Sequence, residues 1–460
     1  MKHKFVGGGL LNKHNSLKLQ KFKENNSKRK VIVTAIIISV LLLSGVYLYS
    51  SFAVFSEEKN FNVINGTVSD PGDIYFAYYV DNNITREMPK KGSGYTLDME
   101  KSNCTNGVVP TWDNGGWKFI GDYSGYNMTD YTRTRCNLYF KKIDITAVEY
   151  IKDLAKYDTE TLATDEAGGN VRYIGKYPDN YVSIDGDSWR IIGVMEDIDD
   201  GVGNKDGRVK LVRNDSIGEY SWDTSDNSVN SGYGANEWSQ ADLMKLLNPG
   251  YESESVGGSL YWNSGSGTCY NGQTNATTTC DFTSTGIKDK LKNLIDNAVW
   301  NIGVPFNLSD SITANTFYVS ERSSYIGKEC TSSDYCNDTI ERTTLWTGLV
   351  GLIYPSDFGY TTSGQNKRNR GECINSSEMR YWHNNSLCAR NSWHKRIRQW
   401  TLTPTSRLEA YGVYLIRAPG DVVYLKDVFK AAVFPAVYLK STVKIVSGTG
   451  TSGDPYILGE

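Results

Sequence analysis

The chain has 460 residues, a net charge of −3, 22% charged and 12% aromatic residues. It is too long for one average domain and too near neutral for general nucleic-acid binding. Its basic residues crowd one end: residues 1–30 hold nine of them and one acid, Glu24, so the remainder carries −11. An acidic remainder suits a soluble domain and argues against a nucleic-acid partner.

Val31 to Phe55 are free of charge for 25 residues. As a helix that run is about 37 Å long, enough for a hydrocarbon core of about 30 Å. Lysines and Arg29 precede it, and Glu57 and Glu58 follow. This bias predicts a cytoplasmic tail (1–30), one transmembrane helix (31–55) and a C-terminal ectodomain outside the cell membrane. The alternative is a signal peptide cleaved near Ala53. A signal peptide's apolar core is usually about 7–15 residues, which favours the uncleaved anchor.

Residues 56–142 read as a small β-sandwich spacer. Asp73–Val80 and Cys136–Phe140 are aromatic-rich strands separated by Gly and Asn, with Trp112 and Trp117 as its core. Val148, Ile151, Leu154 and Ala155 recur at helical spacing, so 143–170 reads as a helical linker.

A second domain is expected over 171–440, with 441–460 as a C-terminal extension. Ser188–Met195 and Arg208–Arg213 form a hairpin around the acidic loop 196–207. The acids of that loop lack calcium-loop spacing, so a solvated turn is expected. Ser239 caps a helix over 240–248, and Ile287, Leu291, Leu294, Ile295, Ala298 and Val299 mark another. Strands are expected at 316–320, 349–353, 397–402, 413–416 and 432–439. The fold class predicted is α+β.

The eight cysteines all follow the apolar run, at 104, 136, 269, 280, 330, 336, 373 and 388. An even number on one side of a membrane reads as a disulfide framework. Eight cysteines allow 105 connectivities. Pairing of neighbours, Cys104–Cys136, Cys269–Cys280, Cys330–Cys336 and Cys373–Cys388, is the simplest.

Five segments occur in a recognisable order: Trp189–Gly193, Glu237-Trp238-Ser239 leading into Leu243–Asn248, Tyr354-Pro355-Ser356-Asp357, Trp400–Pro404 and Phe434–Leu439. With them, 171–440 resembles a family of bacterial surface proteins of the Firmicutes type. Their domain is similar to the C-type-lectin-like fold shared with formylglycine-generating sulfatase-modifying factors. The resemblance implies a lectin-like head whose first and last strands pair and whose long loops carry a ligand site. The catalytic cysteine pair of the enzymatic relatives does not map onto this chain.

Motifs for common hydrolytic or nucleotide chemistry do not occur: no H-E-x-x-H, P-loop, G-x-S-x-G or C-x-x-C is present. No cofactor, metal site or catalytic residue is predicted. One stretch stands out. Residues 367–398 carry eight basic residues against Glu372 and Glu378, interleaved with Tyr381, Trp382, His383 and Trp393. Aromatic faces stack on sugars, and Arg forks supply directional hydrogen bonds. The predicted ligand-binding residues are Arg380, Tyr381, Trp382, His383, Asn384 and Arg390, with an anionic glycan or cell-wall polymer as ligand. The opposing reading, equally weighted, packs Trp382 and Trp393 beneath the loop. The function expected is non-catalytic recognition or adhesion at the cell surface. An extracellular enzyme acting on glycans and a structural envelope protein are the rival readings.

Overall fold

A computed structural model describes residues 74–90, 94–113, 117–126, 134–142, 145–225, 233–304, 312–324, 340–405 and 411–460. The expected tail and transmembrane helix lie outside these. Among the described residues no helix is long and apolar enough to cross a membrane.

The chain divides into two compact units. The first comprises Met1–Ala77 and Met99–Leu138. In it Asn103–Cys104 pairs antiparallel with Cys136 and Asn137, which places the two cysteines opposite each other for their disulfide. Trp112–Asp113 and Lys118–Phe119 form a hairpin, where Trp112 meets Trp117 edge to face. Both tryptophans are only half-buried, and Val108, Phe119 and Leu138 form the core instead. The expected sandwich over 56–142 does not stand as one module: its described residues are shared between the two units.

The second unit comprises Tyr78–Asp98 and Tyr139–Glu460. Its spine is the long hairpin Asp187–Asp199 and Lys205–Arg213. Trp189, Ile191, Ile192, Val194 and Met195 are all buried, so both faces of the first strand are covered and the run is apolar without alternation. The register shifts between Ile191 and Gly193. At Gly193 an added Cβ would come within 2.1 Å of the Val171 carbonyl oxygen, so only glycine lets the neighbouring strand Val171–Tyr173 approach. At the tip, Asp199 accepts from Gly201 N, and Asp200 accepts from Val202 N and Asn204 N, so two acids of the 196–207 loop brace the turn.

This hairpin centres a nine-stranded sheet. On one side it adds Ala436–Tyr438 and Val350–Gly351; on the other, Tyr181–Ile184, Tyr456–Gly459 and Lys444–Ser447, with Val171–Tyr173 and Leu162–Thr164 attached. The expected extension 441–460 therefore supplies two strands, with Val182 pairing parallel to Tyr456. The expected linker also contributes a strand after its helix Ala147–Leu154, which Thr146 and Glu149 close with a capping box. A second sheet runs Glu219–Tyr220, Ala431–Ala432, Gln399–Pro404, Gly412–Arg417, Asp421–Lys426. Six fully buried tryptophans, Trp189, Trp222, Trp238, Trp300, Trp382 and Trp400, fill the core.

The predicted α+β class is corrected by this architecture: the fold is mostly β-sheet, 16% helical. Two local corrections go in opposite directions. Residues 316–320, read as a strand from their β-branched and aromatic content, lie in the helix Ala314–Glu321, because Thr313 caps it by accepting from Thr316 N at 3.1 Å. The apolar spacing from Ile287 to Val299 makes a helix only over Asp289–Leu294. Ala298–Asn301 instead pairs with Leu345–Gly348, a case where a short apolar run reads either way.

Candidate functional site

The basic segment begins with the helix Lys367–Asn375, capped by Asn366 accepting from Asn369 N at 2.9 Å. Cys373 and Cys388 are disulfide-bonded, with Cα atoms 5.5 Å apart. Between them runs the short 3₁₀ stretch Met379–Asn384. Cys269 and Cys280 are also joined, while Cys330 and Cys336 lie outside the described residues.

Trp382 is core. Its ring is 0% exposed, packs against Phe358 at 5.5 Å, and donates from Nε1 to the Ser377 carbonyl. Trp393 is also buried and donates to the Tyr173 carbonyl at 2.8 Å. The two tryptophans thus pin the segment to the domain, and neither offers a stacking face to solvent. Trp382 is therefore removed from the predicted ligand contacts.

The other predicted residues, Arg380, Tyr381, His383, Asn384 and Arg390, are exposed. Tyr381 leaves 47% of its surface in water, with the Arg380 guanidinium 5.5 Å from its ring centre. His383 is fixed by Asp421: its Nδ1 lies 2.8 and 2.9 Å from the two carboxylate oxygens, and its backbone N–H donates to Oδ1. Asp421 is 1% exposed and also receives Arg417. Sequence reasoning missed Asp421, which begins a strand 38 residues away and carries no local signal.

Several charges of the segment are already matched. Arg368 pairs with Glu372, Lys395 with Asp215, and Arg370 with Asp165. Exposed pairs of the first two kinds contribute about 0–1 kcal/mol. The third is different, because Asp165 is fully buried and also receives Arg172 Nε at 2.7 Å. Arg172 reaches Asp357 Oδ1 at 2.5 Å, and Lys210 reaches Asp357 Oδ2 at 2.6 Å. A chain of buried ions therefore ties the helix Lys367–Asn375 to the central hairpin.

Lys210 sits under aromatic rings, 4.0 Å from the centre of Tyr354 and 4.9 Å from that of Trp300. Burial pulls its ammonium down to about 8, against the pull of Asp357. Asp357 is held well below the carboxylate range: Lys210 and Arg172 outweigh its own burial. Burial also pushes Glu321 up to about 7, although Arg322 and Ser356 contact it.

Comparison with known proteins finds no family model that matches the chain, no curated protein similar to it in sequence and no solved structure similar to it.

Proposed function

We propose that the protein is a surface recognition protein, anchored through Val31–Phe55, that binds an anionic glycan or cell-wall polymer without transforming it. The observation that carries this reading is the exposure of five polar or aromatic residues within one stapled segment. A stapled segment pinned by Trp382 presents Arg380, Tyr381, His383, Asn384 and Arg390 outward, with His383 set by Asp421. Arg380 and Arg390 have no carboxylate partner among the described residues. Three disulfides support an oxidising compartment. The resemblance to bacterial surface proteins supports the same placement.

The test is retention of the full-length protein on immobilised polygalacturonate and on neutral dextran. Retention by the acidic polymer alone, released by salt, supports the reading; equal retention on both, or none, contradicts it.

One observation favours a second reading, an enzyme acting on glycans. His383 Nδ1 is held by a buried carboxylate, the arrangement that orients an imidazole as a base. Glycan cleavage that disappears in His383→Gln would establish it.

A further inference from the structure

Two strands of the second sheet, Gln399–Pro404 and Ala431–Ala432, pair in parallel with Gln399 beside Ala432, so both begin at the same end of the sheet. Ala432 N donates to the Arg398 carbonyl at 3.1 Å, which draws the segments leading into the two strands together. Those segments are Arg396-Ile397-Arg398 and Phe429-Lys430. Successive Cα atoms are about 3.8 Å apart, so all five residues lie within roughly 11 Å of Gln399 or Ala432.

Ile397 and Phe429 leave 42% and 43% of their surface in water. A single exposed apolar side chain is ordinary on a protein surface. These two stand among cations. Arg398 and Lys430 are exposed and Arg396 is half-buried, and among the described residues none of the three has a carboxylate partner. Of the acids nearby, Asp215 is taken by Lys395 at 3.0 Å, which leaves the exposed Glu219, opposite Ala432. Three cations against that one acid leave two positive charges at this end of the sheet. The projection is also held firmly. Val428 and Ala431 on either side of Phe429-Lys430 are buried, and Phe429 N donates to the Lys426 carbonyl at 3.1 Å.

This combination selects one class of partner. A polyanion dissolved in water can satisfy cations, but it gives exposed Ile and Phe side chains nothing to enter. A bilayer containing anionic lipid offers both: its head groups attract Arg and Lys, and the boundary with the acyl chains takes up apolar side chains. The stems of Arg and Lys are apolar as well, so they lie along that boundary with their charged heads in the polar layer.

We propose that this end of the second sheet docks on an anionic phospholipid surface, with Arg396, Arg398 and Lys430 among the head groups and Ile397 and Phe429 in the boundary beneath them. The docking uses none of the residues assigned to the polymer, and it shares with the reading above only the anchorage through Val31–Phe55.

The test uses full-length protein carrying a polarity-sensitive fluorophore on Phe429→Cys. The vesicles are phosphatidylcholine alone or mixed with phosphatidylglycerol, each with a quencher on a lipid chain. Val202→Cys, at the tip of the central hairpin and 84% exposed, carries the same probe as control. Quenching at 429 is expected only with phosphatidylglycerol and should fall as salt rises, while the probe at 202 stays unquenched. Arg398→Gln/Lys430→Gln should weaken docking about 25-fold, about fivefold for each charge, with an unchanged melting temperature. No quenching with phosphatidylglycerol, equal quenching in both lipids, or docking unchanged in the double variant overturns the proposal. Loss of polygalacturonate retention in that variant, without lipid contact in the parent, assigns these cations to the polymer and also overturns it. A parent retained on polygalacturonate but never quenched leaves the recognition reading standing and removes this one. A chain that does not insert counts against the anchorage alone, since uninserted protein on the same vesicles still reads the docking.

Discussion

Lys210 Nζ lies 2.6 Å from Asp357 Oδ2, and neither side chain is more than 2% exposed. The same carboxylate takes Arg172 on its other oxygen and accepts from Tyr354 N, so one buried anion joins the strand Lys205–Arg213, the strand Val171–Tyr173 and the start of the helix Pro355–Tyr360. Breaking a buried pair from one side costs about 3–5 kcal/mol, because the remaining charge has no partner. Asp357→Asn should therefore lower denaturation free energy by that amount. Adding Lys210→Met to it should recover part of the loss, since it removes one orphaned cation. Recovery of nothing would mean that the strain lies in the helix cap rather than in the ions.

Glu321 makes stability depend on pH in a defined direction. Its folded value is raised from 4.5 to about 7, so the folded state holds a proton that the unfolded state releases between those limits. Its contribution is full below about 4.5 and is lost as pH rises through about 7. Relative to the parent, Glu321→Gln should gain up to about 3 kcal/mol over that window. His394 acts oppositely. Lowered from 6.5 to about 4, its contribution is present above 6.5 and disappears as pH falls toward 4. Denaturation curves of parent and Glu321→Gln across pH 4–8 check this, and a pH-independent difference would count against it.

Trp382→Ala should behave as a core truncation. A fully buried aromatic replaced by alanine costs about 3–5 kcal/mol, so its melting temperature should drop sharply. Tyr381→Ala, next in sequence but exposed, should melt within a degree or two of the parent, since surface changes stay within about 0.5 kcal/mol.

The Cys373–Cys388 disulfide closes a loop of 15 residues. Chain-entropy arguments give such a loop about 3 kcal/mol. Replacing both cysteines by serine should lower stability by roughly that much, and a reductant should then have less effect on the variant than on the parent. Equal sensitivity to reductant would place the stabilising disulfide elsewhere.

What the sequence revealed followed from local signals. Cysteine spacing led to three disulfide pairs, and the apolar run 189–195 marked the central strand. Composition also marked the basic segment, but it left open which way Trp382 points, because a tryptophan between two arginines reads alike in a core and on a surface. Asp421 stayed hidden for another reason: it matters through a partner that only the fold brings near, His383. The helix Ala314–Glu321 was misread because propensity spoke for a strand while a single cap at Thr313 and burial of Phe317 decided otherwise. Strands at 444–447 and 456–459 were missed because each is four residues long, and the second, on which the first leans, pairs with Val182 and Ser183 far away in sequence.

The measurement that bears most directly on surface recognition is the affinity of the full-length protein for polygalacturonate as a function of salt, for the parent and for Arg380→Gln/Arg390→Gln. Exposed charges are screened over about 8 Å at physiological ionic strength, so parent affinity should fall as salt rises. The double variant should bind more weakly at low salt, with a shallower dependence and an unchanged melting temperature. A variant that binds as the parent does, with the same salt dependence, would show that the outward face of the stapled segment does not hold the ligand.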